Sequence, residues 1–205
     1  MKREEKNQQM RRRIMDSALA EFSRQGYGAS SVNAICASQD ISKGIIYHYF
    51  KTKDDLFLAC VEECFDRLTE YLRTHIQLQQ GDLEERLKEY FTARLVFFQE
   101  HPVYQRVFCE AIMTPPIHLK AEIQARKHEY DALNIQILEQ LLAPVSFRAH
   151  VTKAEVVETF RQFQDFINAK YQMLGADKLE FEAREASCRK ALNILLYGVI
   201  AREEF

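Results

Sequence analysis

Apolar residues recur at intervals of three and four along almost the whole chain, which is the spacing of amphipathic helices. The first such stripe runs from Ile14 through Ala18 to Phe22, and Gly26 follows as a helix end. Later stripes are separated by glycines, prolines and short polar stretches. We predict nine helices, over residues 8–25, 31–38, 43–49, 53 to the mid-seventies, 82–100, 102–112, 117–142, 152–174 and 178 to nearly the end of the chain.

Hydroxyl side chains stand immediately before several of these helices, where they can cap free backbone N–H groups. Thr52 with Asp55, and Thr152 with Glu155, have the three-residue spacing of a capping box. The predicted caps are Ser30 or Ser31, Ser42, Thr52 and Thr152.

The composition favours an all-α fold, because six glycines and four prolines in 205 residues leave few breaks for short strands. We predict three short helices in residues 1–52 and a helical bundle over 53–205. The amino terminus is polar, and no apolar run is long enough to span a membrane, so we expect a cytoplasmic protein.

The five cysteines are an odd number scattered among apolar residues, which is typical of reduced, buried thiols. Cys60 and Cys64 share a helix face at a spacing of four, but no neighbouring ligand cluster completes a metal site. We therefore predict that they are core residues and that the protein has no metal and no cofactor.

Charge is distributed unevenly. Residues 1–55 hold ten basic and seven acidic residues, a net +3, whereas the rest holds 18 basic and 23 acidic residues, a net −5. A basic amino-terminal region suits a polyanion bound at one end of the molecule.

The segment from Ser30 to Lys53 predicts two short helices joined by a tight turn, and therefore a helix-turn-helix. The second helix is unusual for a packed element, because Lys43, Gly44 and Tyr47 crowd into two turns. A cation, a glycine that permits close approach and a phenol are groups that can meet phosphates and base edges.

These residues resemble the amino-terminal domain of TetR-type transcriptional repressors. The resemblance covers about a quarter of the chain and lies in Ile35, in Ile41-Ser42-Lys43-Gly44, in Tyr47-x-Tyr49-Phe50, and in Lys53 followed by Leu56. The family usually has alanine and glycine entering the turn, where this chain has Gln39 and Asp40, and alanine where it has Cys36. Aspartate tolerates the left-handed backbone conformation, so we expect the turn to form.

The resemblance implies which residues would contact DNA. Ile45 can pack on a thymine methyl, and Lys43 can reach a guanine edge or a phosphate. Arg11, Arg12 and Arg13 would reach phosphate or the minor groove, or else lie on a solvated helix surface. The implied DNA-binding residues are Ser31, Ser42, Lys43, Gly44, Ile45, Tyr47, His48, Tyr49 and Lys53. Packing in the core is the alternative for Ile45 and Tyr49.

The resemblance also implies a cavity for a small inducer within the bundle. Its aromatic content favours a largely apolar ligand, although ordinary core packing is the alternative at every position. The residues we assign to its wall are His101, Tyr104, Phe108, Met113, His118 and Tyr130.

The last two helices carry long apolar stripes, and in this family they form the interface of a homodimer. On the second of them, Ile194, Tyr197 and Ile200 make the face opposite the main stripe apolar too. We assign the interface to Phe160, Phe163, Ile167, Leu192, Leu195, Leu196 and Val199. A two-fold dimer would present its recognition helices to successive major grooves of a near-palindromic operator.

We therefore expect a ligand-responsive, DNA-binding transcriptional regulator that acts as a repressor. An activator and a helical protein-binding adaptor are the alternatives. We do not expect an enzyme, because His101, His118, Cys109 and Asp165 form no recognisable nucleophile, acid–base or metal arrangement.

Overall fold

A computed structural model describes residues 3–78, 82–174 and 181–199. The all-α class predicted from the sequence is confirmed. The α-helices in the described residues are α1 (Arg3–Ala29), α2 (Val32–Ser38), α3 (Lys43–Tyr49), α4 (Lys53–His75), α5 (Leu83–Glu100), α6 (Pro102–Met113), α7 (Lys120–Arg126), α8 (His128–Leu142), α9 (Lys153–Leu174) and α10 (Phe181–Val199).

The predicted helix caps are confirmed. Oγ of Ser31 accepts a hydrogen bond from the N–H of Ala34 at 3.1 Å, and Ser42 caps α3 in the same manner. Thr52 and Asp55 form the reciprocal bonds of a capping box at 3.0 and 3.1 Å. Thr152 and Glu155 form the second capping box at the start of α9.

The predicted helix over 117–142 is wrong, because it is interrupted. A 3₁₀ turn (Ile117–Leu119) follows the proline pair, and α7 ends before Lys127, whose backbone (φ −89°, ψ 3°) leaves the helical region. Helix α1 also extends five residues further towards the amino terminus than predicted. It contains a break at the predicted position, Gly26, where φ is +76°.

The described residues form two compact units: residues up to 67 together with 98–127, and residues 68–97 together with those from 128 onward. In the first unit, α1 packs against α6 and α2, and α2 packs against α3. The Ser17 hydroxyl is buried and donates to the backbone oxygen of Ile35 at 2.6 Å, which fixes α2 against α1. The rings of Phe22 and Phe57 meet edge to face at 5.1 Å.

In the second unit, α9 packs against α8 and α10, and side chains of α5, α8 and α10 form a buried polar cluster. Nε of Arg94 donates to Glu185 at 2.9 Å, and a nitrogen of Arg184 donates to the other oxygen of that carboxylate at 2.5 Å. The hydroxyls of Tyr90 and Tyr130 accept from Arg94 at 3.3 and 3.2 Å. The two buried guanidinium groups thus share a carboxylate, which pairs charges that would otherwise be costly to bury.

Cys60 and Cys64 are fully buried, which confirms them as core residues, and burial raises the pKa of both thiols. Among the residues that the structure describes, no cluster of histidine, cysteine and acidic side chains is placed to hold a metal ion. Within the same residues, none of the helices has the length and apolar character needed to cross a bilayer.

Candidate nucleic-acid interface

Helix α3 is anchored to the first unit by its inner face. Ile46 and Phe50 are buried, and the N–H of Phe50 donates to the oxygen of Ile46 at 2.8 Å to end the helix. The guanidinium of Arg11 lies 5.4 Å from the centre of the Phe50 ring and covers this anchor from α1.

The outer face of α3 is exposed along its whole length. Lys43, Gly44 and His48 are exposed. Ile45 is 37% exposed and Tyr47 is 42% exposed. The ammonium of Lys43 lies 5.8 Å from the centre of the Tyr47 ring, so the two side chains stand next to each other. An isoleucine and a tyrosine left exposed beside a lysine provide apolar, hydrogen-bonding and cationic contacts to an external surface.

Gly44 occupies an open position on this face. Apart from its own helix backbone and chain neighbours, a Cβ atom at residue 44 would meet no atom of the described residues within 4 Å, so their packing does not require glycine there. The space in front of the α3 backbone at Gly44 is therefore open.

The turn between α2 and α3 forms as predicted. Asp40 has φ +51°, the left-handed conformation expected of the aspartate that stands where the family has glycine. Arg13 donates to the backbone oxygen of Gln39 at 3.0 Å, and Ile41 beyond the turn is buried. The turn therefore sets the angle between the two helices.

Three predicted DNA contacts differ in their surroundings. Ser31 is exposed at the first turn of α2, whereas Tyr49 is half-buried, with its ring edge to face with His48 at 5.2 Å. Lys53 is half-buried, and its ammonium donates to the backbone oxygens of Tyr27 and Ser30 at 2.8 and 3.2 Å. The structure thus gives Lys53 an intramolecular role at the end of α1, and its phosphate contact stays a prediction.

The arginines of α1 contact the chain itself. Arg12 forms ion pairs with Asp16 and Glu63, both at 2.7 Å, and Arg13 bonds to the turn between α2 and α3. The charge run of residues 11–13 therefore has structural partners, which the sequence pattern alone did not reveal.

A groove of about 550 Å³ lies between the first turns of α1 and the outer face of α3. The residues of α1 that line it were not predicted to contact DNA, and the only sequence signal for them is the basic amino terminus. The lining residues are Arg3, Lys6, Asn7 and Met10 of α1, and Ser42, Gly44, Ile45, His48 and Tyr49 at and in α3.

Helix α6 holds the end of α1 through two side chains, Arg106 and Glu110, which we call the α6 clamp. Arg106 donates to the backbone oxygens of Arg24 and Gln25, both at 3.2 Å. The buried carboxylate of Glu110 accepts the N–H of Tyr27 at 2.9 Å. Burial raises the pKa of Glu110, and the bonds to Tyr27 and Arg106 offset part of that effect.

Tyr27 also joins the end of α1 to α4. Its hydroxyl donates to Asp54 at 2.6 Å, and burial together with this bond raises the pKa of Tyr27 to about 12. Nε2 of His118 lies 3.1 Å from Asp54 and 3.2 Å from the Tyr27 hydroxyl. The structure therefore places His118 on the surface beside this junction and not in the wall of an enclosed cavity, where the sequence placed it.

Three of the other residues assigned to the ligand site lie together on α6. Tyr104, Phe108 and Met113 are buried, and the Phe108 ring lies 4.9 Å from that of Phe98 and 5.8 Å from that of Phe65.

Polar contacts distinguish the remaining assignments. The hydroxyl of Tyr104 donates to Glu63 at 2.5 Å, and the half-buried ring of His101 lies 6.3 Å from that of Tyr104. Tyr130 belongs to the second unit, where its hydroxyl accepts from Arg94. The structure thus brings together the α6 residues of the set but leaves their ligand role a prediction.

The helix face assigned to the dimer is partly occupied within the chain. Phe160, Ile167, Leu192 and Leu196 are buried by the subunit itself, Leu195 is half-buried, and the side chain of Val199 lies outside the described residues. Among the described side chains of α9 and α10, the large apolar ones that are exposed are instead Phe163 of the original set, together with Phe166, Ile194 and Tyr197. Periodicity showed two apolar faces, and we assigned most of the interface to the one that faces the subunit's own core.

Comparison with known proteins identifies the amino-terminal region. Residues 14–60 match the model of the tetR family of bacterial regulatory proteins. Over 67 residues the chain is 31% identical to IcaR of Staphylococcus epidermidis, the HTH-type negative transcriptional regulator of the biofilm operon icaADBC. That match covers 32% of this chain and 36% of IcaR, so the chain spans about a third of that relative.

Two further matches extend over nearly the whole chain. The HTH-type transcriptional regulator UidR of Escherichia coli is 24% identical over 196 residues, which are 94% of each protein. The crystal structure of the transcriptional regulator FadR of Bacillus subtilis in complex with stearoyl-CoA matches with a TM-score of 0.66 and 18% identity, covering 92% of this chain and 98% of that one. At that identity the structural match shows the fold.

Proposed function

We propose that this member of the TetR family of bacterial regulatory proteins is a repressor that binds a near-palindromic operator as a homodimer and is released by a small, largely apolar inducer. Membership of the family makes it a DNA-binding transcriptional regulator and not an enzyme. The observation that carries the proposal is the outward display of α3. Its inner residues Ile46 and Phe50 fix it among helices α1 to α3, which we call the head, and its outer residues are exposed.

Helix α3 would enter the major groove and read base edges. Lys43 stands at its first turn, where it reaches a guanine edge or a phosphate, and Ile45 offers an apolar surface to a thymine methyl. Ser42, Tyr47 and His48 would add hydrogen bonds to bases or backbone. The open space at Gly44 allows DNA to approach the helix backbone.

The homodimer would form through the exposed apolar residues of α9 and α10. Phe166, Ile194 and Tyr197 are each more than 60% exposed, and Phe163 is 39% exposed. The two helices pack together, and large exposed apolar side chains on neighbouring helices are a feature of protein–protein contact surfaces. A second copy of the same face would cover them and would present two heads at a spacing of about 34–36 Å.

The inducer would bind against the buried face of α6. The buried side chains of Tyr104, Phe108 and Met113 provide an apolar wall, and His101 stands half-buried at its edge. That the related FadR was crystallised with stearoyl-CoA supports a ligand with a long apolar part. The lining role of these residues rests on this proposal.

The α6 clamp would carry the response to the head. Because Arg106 and Glu110 bond directly to the end of α1, a ligand that shifts α6 must either carry α1 with it or break these bonds. Coupling requires different ligand affinities in the two states, and reciprocity requires operator DNA to weaken ligand binding. Equal ligand affinity with and without operator would remove the coupling.

Selection of bound sites from a random DNA pool tests the proposal. We expect a near-palindromic site with half-sites one helical turn apart, bound far more tightly than unrelated duplex. An asymmetric site would overturn the dimer, and the absence of any enriched sequence would overturn the proposed function. Reporter expression with the recovered site upstream separates a repressor from an activator.

A further inference from the structure

The groove between α1 and α3 is formed by two helices of one head, and only the α3 side belongs to the helix-turn-helix. On α1, residues 3, 6, 7 and 10 share one face, because a helix returns to the same side every three to four residues. This face carries two cations and an amide. Glu4 and Glu5, which follow Arg3 directly in the sequence, do not line the groove.

The charge of the groove identifies the chemistry of its occupant. None of its nine lining residues, all within the described part of the chain, is acidic, and Arg3 and Lys6 are exposed. The opposite wall offers a serine hydroxyl, an imidazole and a phenol next to the glycine backbone of residue 44. Cations with neutral hydrogen-bonding groups are the side chains that contact sugar and phosphate oxygens.

From this arrangement we propose that the groove holds the sugar-phosphate backbone of one operator strand, with Arg3 and Lys6 each neutralising a phosphate. This inference rests on the proposed function, and it adds a second DNA-contacting element to α3. The groove is continuous with the outer face of α3, since Gly44, Ile45 and His48 belong to both. A strand lying in it would flank the bases that α3 reads.

The length of the α1 wall sets how much DNA it follows. From residue 3 to residue 10, a helix rises about 10 Å, which corresponds to about three base pairs of one strand. Because the contacts are to backbone, they should raise affinity for every sequence and leave the preference for the operator unchanged.

The test compares Arg3→Gln/Lys6→Gln with a matched double variant, Lys120→Gln/Lys153→Gln, which removes the same charge from exposed positions outside the groove. Each is titrated with the operator recovered by selection and with an unrelated duplex, at several salt concentrations. The slope of log K against log salt should fall in magnitude by about 1.8 per head for the groove variant, because each phosphate contact contributes about 0.9. The matched variant should keep the wild-type slope.

A second readout locates the contacts. Ethylation of phosphates that the groove holds should interfere with binding of the wild-type protein and should no longer interfere with the groove variant.

The outcomes separate this inference from the proposed function. If the wild-type protein selects an operator but the groove variant keeps its salt slope and interference pattern, the groove does not hold DNA and the inference is wrong. If the groove variant changes the ratio between the affinity for the operator and the affinity for the unrelated duplex, Arg3 and Lys6 read bases. The proposed backbone contact is then overturned. A wild-type protein with no sequence preference would remove the proposed function itself.

Discussion

The junction at Gly26 allows the strength of the α6 clamp to be measured. Gly26 has φ +76° and ψ 171°, a conformation that is almost exclusive to glycine and costs another residue about 1–3 kcal/mol. In Gly26→Ala the new Cβ would also overlap Oε1 of Glu110 and lie 2.9 Å from a guanidinium nitrogen of Arg106. Glu110 cannot move away freely, because it is buried and accepts the N–H of Tyr27.

Displacing Glu110 would leave that N–H without its acceptor, at a further cost of about 1–3 kcal/mol. We therefore expect Gly26→Ala to lower the free energy of unfolding by about 2–6 kcal/mol, against a typical total of about 5–15 kcal/mol. Urea unfolding followed by far-UV circular dichroism measures this difference. The protein concentration must be held constant, because the proposed dimer would also contribute to stability.

The Glu110→Ala background separates the two contributions. Without the carboxylate, the methyl group introduced by Gly26→Ala meets only the flexible end of the Arg106 side chain, which can shift, so the substitution should cost mainly the backbone part of about 1–3 kcal/mol there. An identical cost in both backgrounds would refute the steric argument. A cost below about 1 kcal/mol in the wild-type background would refute the backbone argument as well.

Three further substitutions test other contacts. Tyr104→Phe should cost about 1.5–3 kcal/mol at pH 7, because it removes a hydrogen bond to ionised Glu63. Phe166→Glu should convert the proposed dimer to monomers in sedimentation experiments while leaving the fold intact, because this side chain is 65% exposed within the subunit. Glu185→Gln should lower stability by about 3–5 kcal/mol in urea unfolding, because it leaves the buried Arg94 without its carboxylate.

The loss of stability caused by Tyr104→Phe should depend on pH. Burial acts to raise the pKa of Glu63, but the bonds from Arg12 and Tyr104 and the nearby arginine charges outweigh it and lower the pKa. A carboxyl group with a lowered folded-state pKa contributes stability above its unfolded pKa of 4.5 and loses it as the pH falls through the folded value. The difference between Tyr104→Phe and wild type should therefore shrink below pH 4.5, and a difference independent of pH would contradict this reasoning.

Matched variants serve as controls for Phe166→Glu and Glu185→Gln. Phe166→Leu keeps the apolar surface and should keep the dimer, so a monomer in both variants would point to misfolding. Glu182→Gln removes an exposed carboxylate from the same helix as Glu185 and should be close to neutral. If Glu185→Gln were equally neutral, the buried ion pair would not stabilise the second unit.

Local signals in the sequence predicted most helix starts, because capping is decided by neighbouring residues. Ser42 and the Thr152–Glu155 pair begin helices where their side chains can bond to the first free N–H groups. The break at Lys127 has no such signal, since neither glycine nor proline stands there. Propensity cannot reveal a stop of this kind.

The outward-facing side chains of the candidate site could be predicted from the helical pattern of buried and exposed positions. An outward Lys43 and Tyr47 follow from the buried anchors at positions 46 and 50. The partners of Lys53 and His118 were not predictable, because both bond to residues that are distant in sequence. The proposed dimer face differs from the one predicted for a related reason: a helix that is apolar on two sides does not reveal which side its own subunit covers.

Operator binding by Lys43→Ala and Tyr47→Ala tests most directly whether α3 reads DNA. Each variant should lose about 1–3 kcal/mol of binding free energy, or roughly 5- to 150-fold in affinity, and should sediment as the wild-type dimer. Operator affinity equal to wild type in both variants would contradict the account.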